Sequence, residues 1–199
     1  MLTTLTTIKQ RLAIPGADPQ YDTLLTNTIK AVSARFDKET RRTLARTENF
    51  TQEFDGATTE VVAACYPIES VSKFETKTSE SSGWQEITPT PDYLIRQSCI
   101  ISLRLPLNFQ LSTFNLQLFR AIYTGGYVLP GDIPAPGQTP LPADLESAAA
   151  EQAAFWFQHR DDLGIDTMWP HEGTYKKYNQ ADLLPEVRAV LNKYTRFTL

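Results

Sequence analysis

Apolar residues recur along this chain in two rhythms, and the rhythm changes twice. Between residues 23 and 40, Leu25, Ile29, Val32 and Phe36 are spaced 4, 3 and 4 apart, which lays one stripe along an amphipathic helix. Asp22 stands where an N-cap would, and Lys30, Asp37 and Arg41 fall off the stripe toward solvent. A shorter helix over residues 7–12 precedes it, halted by Pro15-Gly16. From Glu48 the period drops to two. Phe50, Gln52 and Phe54 alternate with Thr51 and Glu53, and Asp55-Gly56 marks a turn. Short strands are expected over residues 61–65, from Pro67 through Val71 and Phe74, and over 115–123. Residues 84–87 and 93–96 suit a hairpin around 88–92, and over 99–105 the side chains of Cys99, Ile101, Leu103 and Leu105 share one face, with Pro106 ending the strand. Residues 76–83, TKTSESSG, form a polar tip. About seven short strands of this kind pair most simply as antiparallel neighbours.

The helical rhythm then returns. Gly125-Gly126 reads as a turn between Tyr123 and Tyr127, and the stretch after it carries Pro130, Pro134, Pro136, Pro140 and Pro142, which forbids regular helix or a central strand. Pro142 suits the first position of a helix with Asp144 and Glu146 in its first turn. Between residues 148 and 157 only Glu151 and Gln152 are polar, and Phe155, Trp156 and Phe157 spread around more than half the circumference. One packing face does not use that much apolar surface, so these three are candidate subunit-interface residues. Gly164 is expected to end the helix, residues 165–181 to be irregular, and Leu184-Pro185-Glu186 to open a last helix carrying Val187, Val190, Leu191 and Tyr194. The closing TRFTL alternates Phe197 and Leu199. The pattern is α+β: helix, then antiparallel strands, then a proline-rich loop over 129–141, then helix again.

Composition narrows the function classes. The 199 residues are 41% hydrophobic, enough for a core without staples, and no run of about 18 apolar residues occurs. The opening MLTTLTTIKQRLAIPG lacks a basic n-region and apolar stretch, so no signal peptide is expected. A net charge of −4 argues against a dedicated nucleic-acid binder; it does not exclude a protein that lets nucleic acid pass, since a negative wall repels the backbone. Cys65 and Cys99 lie in strand-like runs and are expected as buried free thiols.

Catalytic signals are thin. His159 and His171 are the only histidines. His159 with Asp161 and Asp162 could orient a base for a small hydrolase, but the nearby helix end explains them more cheaply, since a histidine there meets the carbonyl end of the helix dipole. No nucleophile elbow, phosphate-binding glycine loop or zinc spacing is present. Arg41, Arg42 and Arg46 form the only basic cluster, readable as a helix-end device or as a DNA-binding module. No catalytic residue, cofactor or metal site is assigned.

The order of these parts resembles the head–tail connector, or adaptor, family of tailed bacteriophages. LTTIKQRLAIPGADPQYDTLLTNTIKAVSARFDKETRR is similar to that family's short helix, acidic loop and long helix with a basic end; YPIESVSKF to its Pro-x-x-Ser-Val strand; AIYTGGY to its Tyr-x-x-Gly-Tyr turn. LPADLESAAAEQAAFWFQHRD resembles its Pro-x-Asp-Leu-x-x-Ala helix, and LPEVRAVLNKYTRF its closing helix. The polar tip at 76–83 and the long loop at 129–141 depart from the shortest members. The resemblance implies a small helical bundle core from the N-terminal helices and two C-terminal helices (1–46 and 142–194), an inserted antiparallel β-rich block (47–128), a proline-rich loop (129–141) and a C-terminal docking tail (195–199), in a non-enzymatic neck protein of the virion assembled in the host cytoplasm. It implies a homo-oligomeric ring, usually twelvefold, beneath the portal protein and above the next neck or tail protein, with DNA crossing its channel. It also implies a portal-docking C-terminus, here Tyr194, Arg196, Phe197 and Leu199.

Overall fold

A computed structural model describes residues 1–55, 60–104, 118–160, 167–168, 176–177 and 183–196. The fold is α+β, in two compact units: Met1–Thr40 with Leu141–Thr195, and Arg41–Pro140 with Arg196–Leu199.

The first unit is helical. Its elements are α1 (Leu5–Arg11), α2 (Asp22–Thr40), α3 (Ala143–Gln158) and α4 (Pro185–Asn192). Thr4 caps α1, its Oγ1 accepting the Thr7 amide at 3.1 Å. The α2 stripe is buried at Leu25, Ile29, Val32 and Phe36, as its spacing requires. Asp22 is the first residue of α2 and not its cap; its carboxylate pairs with Lys9. Pro142 precedes α3 by one position, and α3 stops at His159 and not at Gly164, which lies outside the described residues. Within residues 165–181 a two-residue antiparallel pair, β10 (Thr167–Met168) with β11 (Lys176–Lys177), breaks the expected irregularity.

The α1–α2 connection folds around an ammonium group. Lys9 is buried, and its Nζ donates to the carbonyls of Gly16 at 3.2 Å and Asp18 at 2.7 Å besides meeting Asp22. Three acceptors that no helix or strand satisfies are thereby paired by one cation. Lys9→Met keeps the apolar stem and removes the charge. It is expected to cost about 1–3 kcal/mol, measurable by urea unfolding, because acceptors are left unpaired.

The second unit holds two sheets over one core. One has the order β1 (Thr47–Asp55), β7 (Leu118–Gly125), β3 (Ile68–Lys77), β4 (Gln85–Glu86); the other β2 (Glu60–Val62), β6 (Ile100–Arg104), β5 (Asp92–Arg96). All pairings inside these sheets are antiparallel. Val61, Ala63, Cys65, Phe74, Ile101 and Tyr123 pack in the shared core. Cys99, Ile101 and Leu103 are buried as their alternation demands, and both cysteines are buried free thiols.

One local reading is overturned here. The expected hairpin of residues 84–87 with 93–96 does not form. β4 pairs with β3, β5 pairs with β6, and the two belong to different sheets. Ile87 donates its amide to Phe74, whose ring also meets Tyr93 edge-on at 5.6 Å, so packing against β3 outweighs the shorter connection. At Gly125-Gly126 the chain does bend, as expected, but the bend joins no hairpin. Gly125 closes β7, opposite Thr47 on one side and Ile68 on the other, and the chain then switches partners. The Gly126 amide donates to Pro67, the Tyr127 amide to Leu44, and the Arg46 amide to Tyr127. Beyond the switch, β8 (Tyr127–Val128) pairs in parallel with β9 (Thr139–Pro140), pinning both ends of the proline-rich loop.

Candidate functional site

The apolar helix α3 satisfies most of itself inside the helical unit. It packs against α1, α2 and α4. Leu145, Ala148, Ala149, Ala150, Gln152, Ala153, Ala154 and Phe157 are buried, which covers most of the circumference. Of the three proposed seam residues, Phe157 belongs to this core, its ring meeting Tyr21 edge-on at 5.3 Å. Phe155 and Trp156 are half-buried, and the Trp156 Nε1 is buried without a hydrogen-bond partner among the described residues. Beyond the first turn, where Ala143 and Asp144 are exposed, the remaining open stripe of α3 is narrow: Ser147, Glu151, Phe155 and Gln158. The expectation that α3 has surplus apolar surface on several sides therefore shrinks to Phe155 and part of Trp156.

At the end of α3, His159 Nδ1 lies 2.9 Å from the Phe155 carbonyl, and its ring lies tilted against Phe155 with centroids 4.3 Å apart. This is a helix-terminus arrangement. Asp161, Asp162 and His171 lie outside the described residues, and no group of three metal-ligating side chains occurs among the described ones.

The basic cluster is dispersed by the fold. Arg42 is only 4% exposed; its guanidinium lies 3.3 Å from the centroid of the Tyr66 ring and donates to the Tyr66 carbonyl. Burial raises the Tyr66 hydroxyl pKa, an effect that Arg42 opposes. Arg46 makes a two-point contact with Glu69, at 2.8 and 3.0 Å, and a further one with Glu48 at 2.8 Å. The hydrogen bonds it donates to Glu69 and then to Glu48 drive its pKa up, against burial. Only Arg41 is exposed, so the three arginines do not present one phosphate-facing patch.

The C-terminal candidates are partly engaged by their own units. The Tyr194 hydroxyl donates to Asp144 at 2.7 Å, inside the helical unit. Arg196 donates from Nη2 to the Val62 carbonyl at 2.5 Å, inside the sheet unit. Phe197 and Leu199 lie outside the described residues.

Two features of the sheet unit had no clear local signal. One is a buried polar clamp. The Tyr123 hydroxyl donates to Gln52 Oε1 at 2.8 Å and accepts the amides of Ala64 at 3.0 Å and Cys65 at 3.1 Å, while Gln52 Nε2 donates to Val62 at 2.9 Å. Burial pushes the Tyr123 hydroxyl up to about 12. The other is a groove of about 280 Å³ beside the proline-rich loop. Its apolar lining is Tyr127, Val128, Leu129 and Ile133; Arg46, Asp132 and Gln138 supply polar atoms. A lone isoleucine among prolines was the only trace of it in the sequence.

No family model and no curated protein sequence matches the chain. A solved structure does: a chain in the "Neck of empty GTA particle computed with C6 symmetry" matches with a TM-score of 0.61 at 14% identity, covering 100% of this chain and 91% of that one. The two folds are therefore alike from end to end, and the protein has the fold of a particle-neck component.

Proposed function

We propose that this chain is a structural, non-enzymatic connector in the neck of a tailed-phage-like virion, assembled in the host cytoplasm. Copies form a ring, twelvefold as is usual for the resembled family, beneath the portal protein. The ring joins capsid to tail, contacts the next neck or tail protein, and lets DNA pass without specific binding. The observation that carries this reading is the end-to-end likeness to a neck chain. It agrees with the ordered motifs from the N-terminal helices to the closing LPEVRAVLNKYTRF. The acidic balance of the chain, −4, and the dispersal of Arg41, Arg42 and Arg46 suit passage of DNA and not its retention. In a ring the contact between copies is heterologous, joining two different faces of each chain. The open stripe of α3, with Phe155 at its centre and Trp156 at its margin, is one candidate face; the segment from Tyr194 through Arg196, Phe197 and Leu199 is the candidate portal contact.

A reconstruction of the neck of the particle that carries this chain tests the reading. A ring of this chain directly under the portal is expected, and a neck without density for it overturns the proposal. Phe155→Glu tests the seam separately. Because Phe155 is half-buried, the isolated protein is expected to melt within about 1 kcal/mol of the parent. Rings reconstituted with the portal should be lost. Normal rings would remove α3 from the seam.

A further inference from the structure

We propose that the groove between β8 and the proline-rich loop is a docking site for an extended, positively charged segment of another protein, which seats an aliphatic side chain against Ile133. The inference does not depend on the neck reading and concerns a different surface from the α3 stripe.

Ile133 is 93% exposed, the most open large apolar side chain among the described residues. The loop that presents it is braced. Pro130, Pro134 and Pro136 fix its backbone angles. The Asp132 amide donates to Leu129 at 3.2 Å, Gln138 to Ala135 at 3.0 Å, and the Ala135 amide to Gln138 Oε1 at 2.9 Å. The β8–β9 pairing closes its base. A surface already held in shape gives up little conformational entropy when a partner arrives. An isolated exposed isoleucine is unremarkable by itself. Here it stands beside a concavity whose other apolar walls, Tyr127 and Val128, are largely buried. At about 280 Å³ the cavity lies below the usual small-molecule range of roughly 300–1,000 Å³, and it suits one or two side chains of a peptide.

Charge selects the occupant. Arg46 is committed to Glu69 and Glu48, and Arg42 lies buried behind the Tyr127 ring, 5.2 Å from its centroid. Of the lining residues, Asp132 is exposed with no cationic partner among the described residues; Glu48, outside the lining, is 69% exposed but pairs with Arg46. The uncompensated charge that a ligand meets in the lining is therefore the Asp132 carboxylate. A segment with Lys or Arg beside its apolar residue is attracted, and an acidic one is repelled.

The test is selection of a random displayed peptide library on the immobilised full-length protein. Enriched peptides are expected to share an aliphatic residue next to Lys or Arg. Their affinity should fall about tenfold or more on Ile133→Ser, a difference of about 1.4 kcal/mol or more. Asp132→Asn should weaken binding most at low salt. Both side chains are exposed, so both variants are expected to fold, checked by their melting. The proposal is overturned by no enrichment over the bare support, by an acidic or uncharged consensus, or by binding that Ile133→Ser leaves unchanged. Self-association of the protein that Ile133→Ser abolishes would also overturn it, because a second copy would then occupy the groove.

Discussion

Gly126→Ala is expected to destabilise the sheet unit by about 3 kcal/mol or more, a fall in Tm of roughly 6–12 °C for a chain of this size. Two effects add at this position. Gly126 has φ of +98°, where a Cβ is strained, and that Cβ would sit 2.6 Å from the Ala45 carbonyl oxygen. Gly125→Ala should be comparably costly without a φ penalty, since its Cβ would meet the carbonyl oxygens of Cys65 at 2.6 Å and Pro67 at 2.8 Å. The obstacles are backbone atoms of paired segments and cannot swing aside. Three stretches of chain meet here: residues 44–46, 65–68 and 125–127. Gly16→Ala is the control. Nothing lies within 4 Å of its added Cβ, so its stability should stay within about 0.5 kcal/mol of the parent. Thermal melts of the three variants check the ranking, and a Gly126→Ala protein as stable as Gly16→Ala would contradict the packing described.

The Gly-Gly pair also shows what sequence pattern conveys and where it stops. Its glycines mark a tight place, but nothing local distinguishes a turn from a crossing of three backbones. Where one face of an element is buried, periodicity is enough: the Leu25–Phe36 stripe and the alternation at Cys99, Ile101 and Leu103 read directly as core positions. The choice of strand partners is a different kind of information. Residues 84–87 and 93–96 have the spacing of a hairpin, yet their amide and ring contacts go to Phe74 of β3. The helix α3 was legible as unusually apolar, but the number of its neighbours was not. Three helices of the same unit cover what looked like a surplus. Arg42 and Arg46 resemble a basic patch only along the chain, because Tyr66 and Glu69, their partners, lie 23 or more residues away. Ile133 carries no periodic signal at all, since exposure in a loop is set by the loop's own bracing.

The Tyr123 clamp is expected to give the second large effect. Tyr123 has no exposed surface, and its ring packs in the shared core against Phe50, with centroids 5.5 Å apart. Tyr123→Leu should cost about 3–5 kcal/mol, from lost ring volume together with the hydrogen bonds lost to Gln52, Ala64 and Cys65. Tyr123→Phe keeps the volume and isolates the hydroxyl; its expected cost is about 1–3 kcal/mol. The hydroxyl bonds Gln52, itself bonded to Ala64 at 2.7 Å, so Tyr123→Phe and Gln52→Leu should be non-additive by about 0.5 kcal/mol or more. Alkaline pH supplies an independent reading. The folded hydroxyl is pushed by burial from 10.0 up to about 12, so above pH 10 the unfolded chain releases this proton before the folded one does. Proton release then favours unfolding, and the contribution of this group to stability declines as pH rises through that window, by at most about 3 kcal/mol. Urea midpoints measured from pH 9 to pH 11 should fall more steeply for the parent than for Tyr123→Phe. Parallel curves would mean that Tyr123 titrates alike in both states, and that the hydroxyl does not hold residues 64–65 against β1 as the geometry indicates.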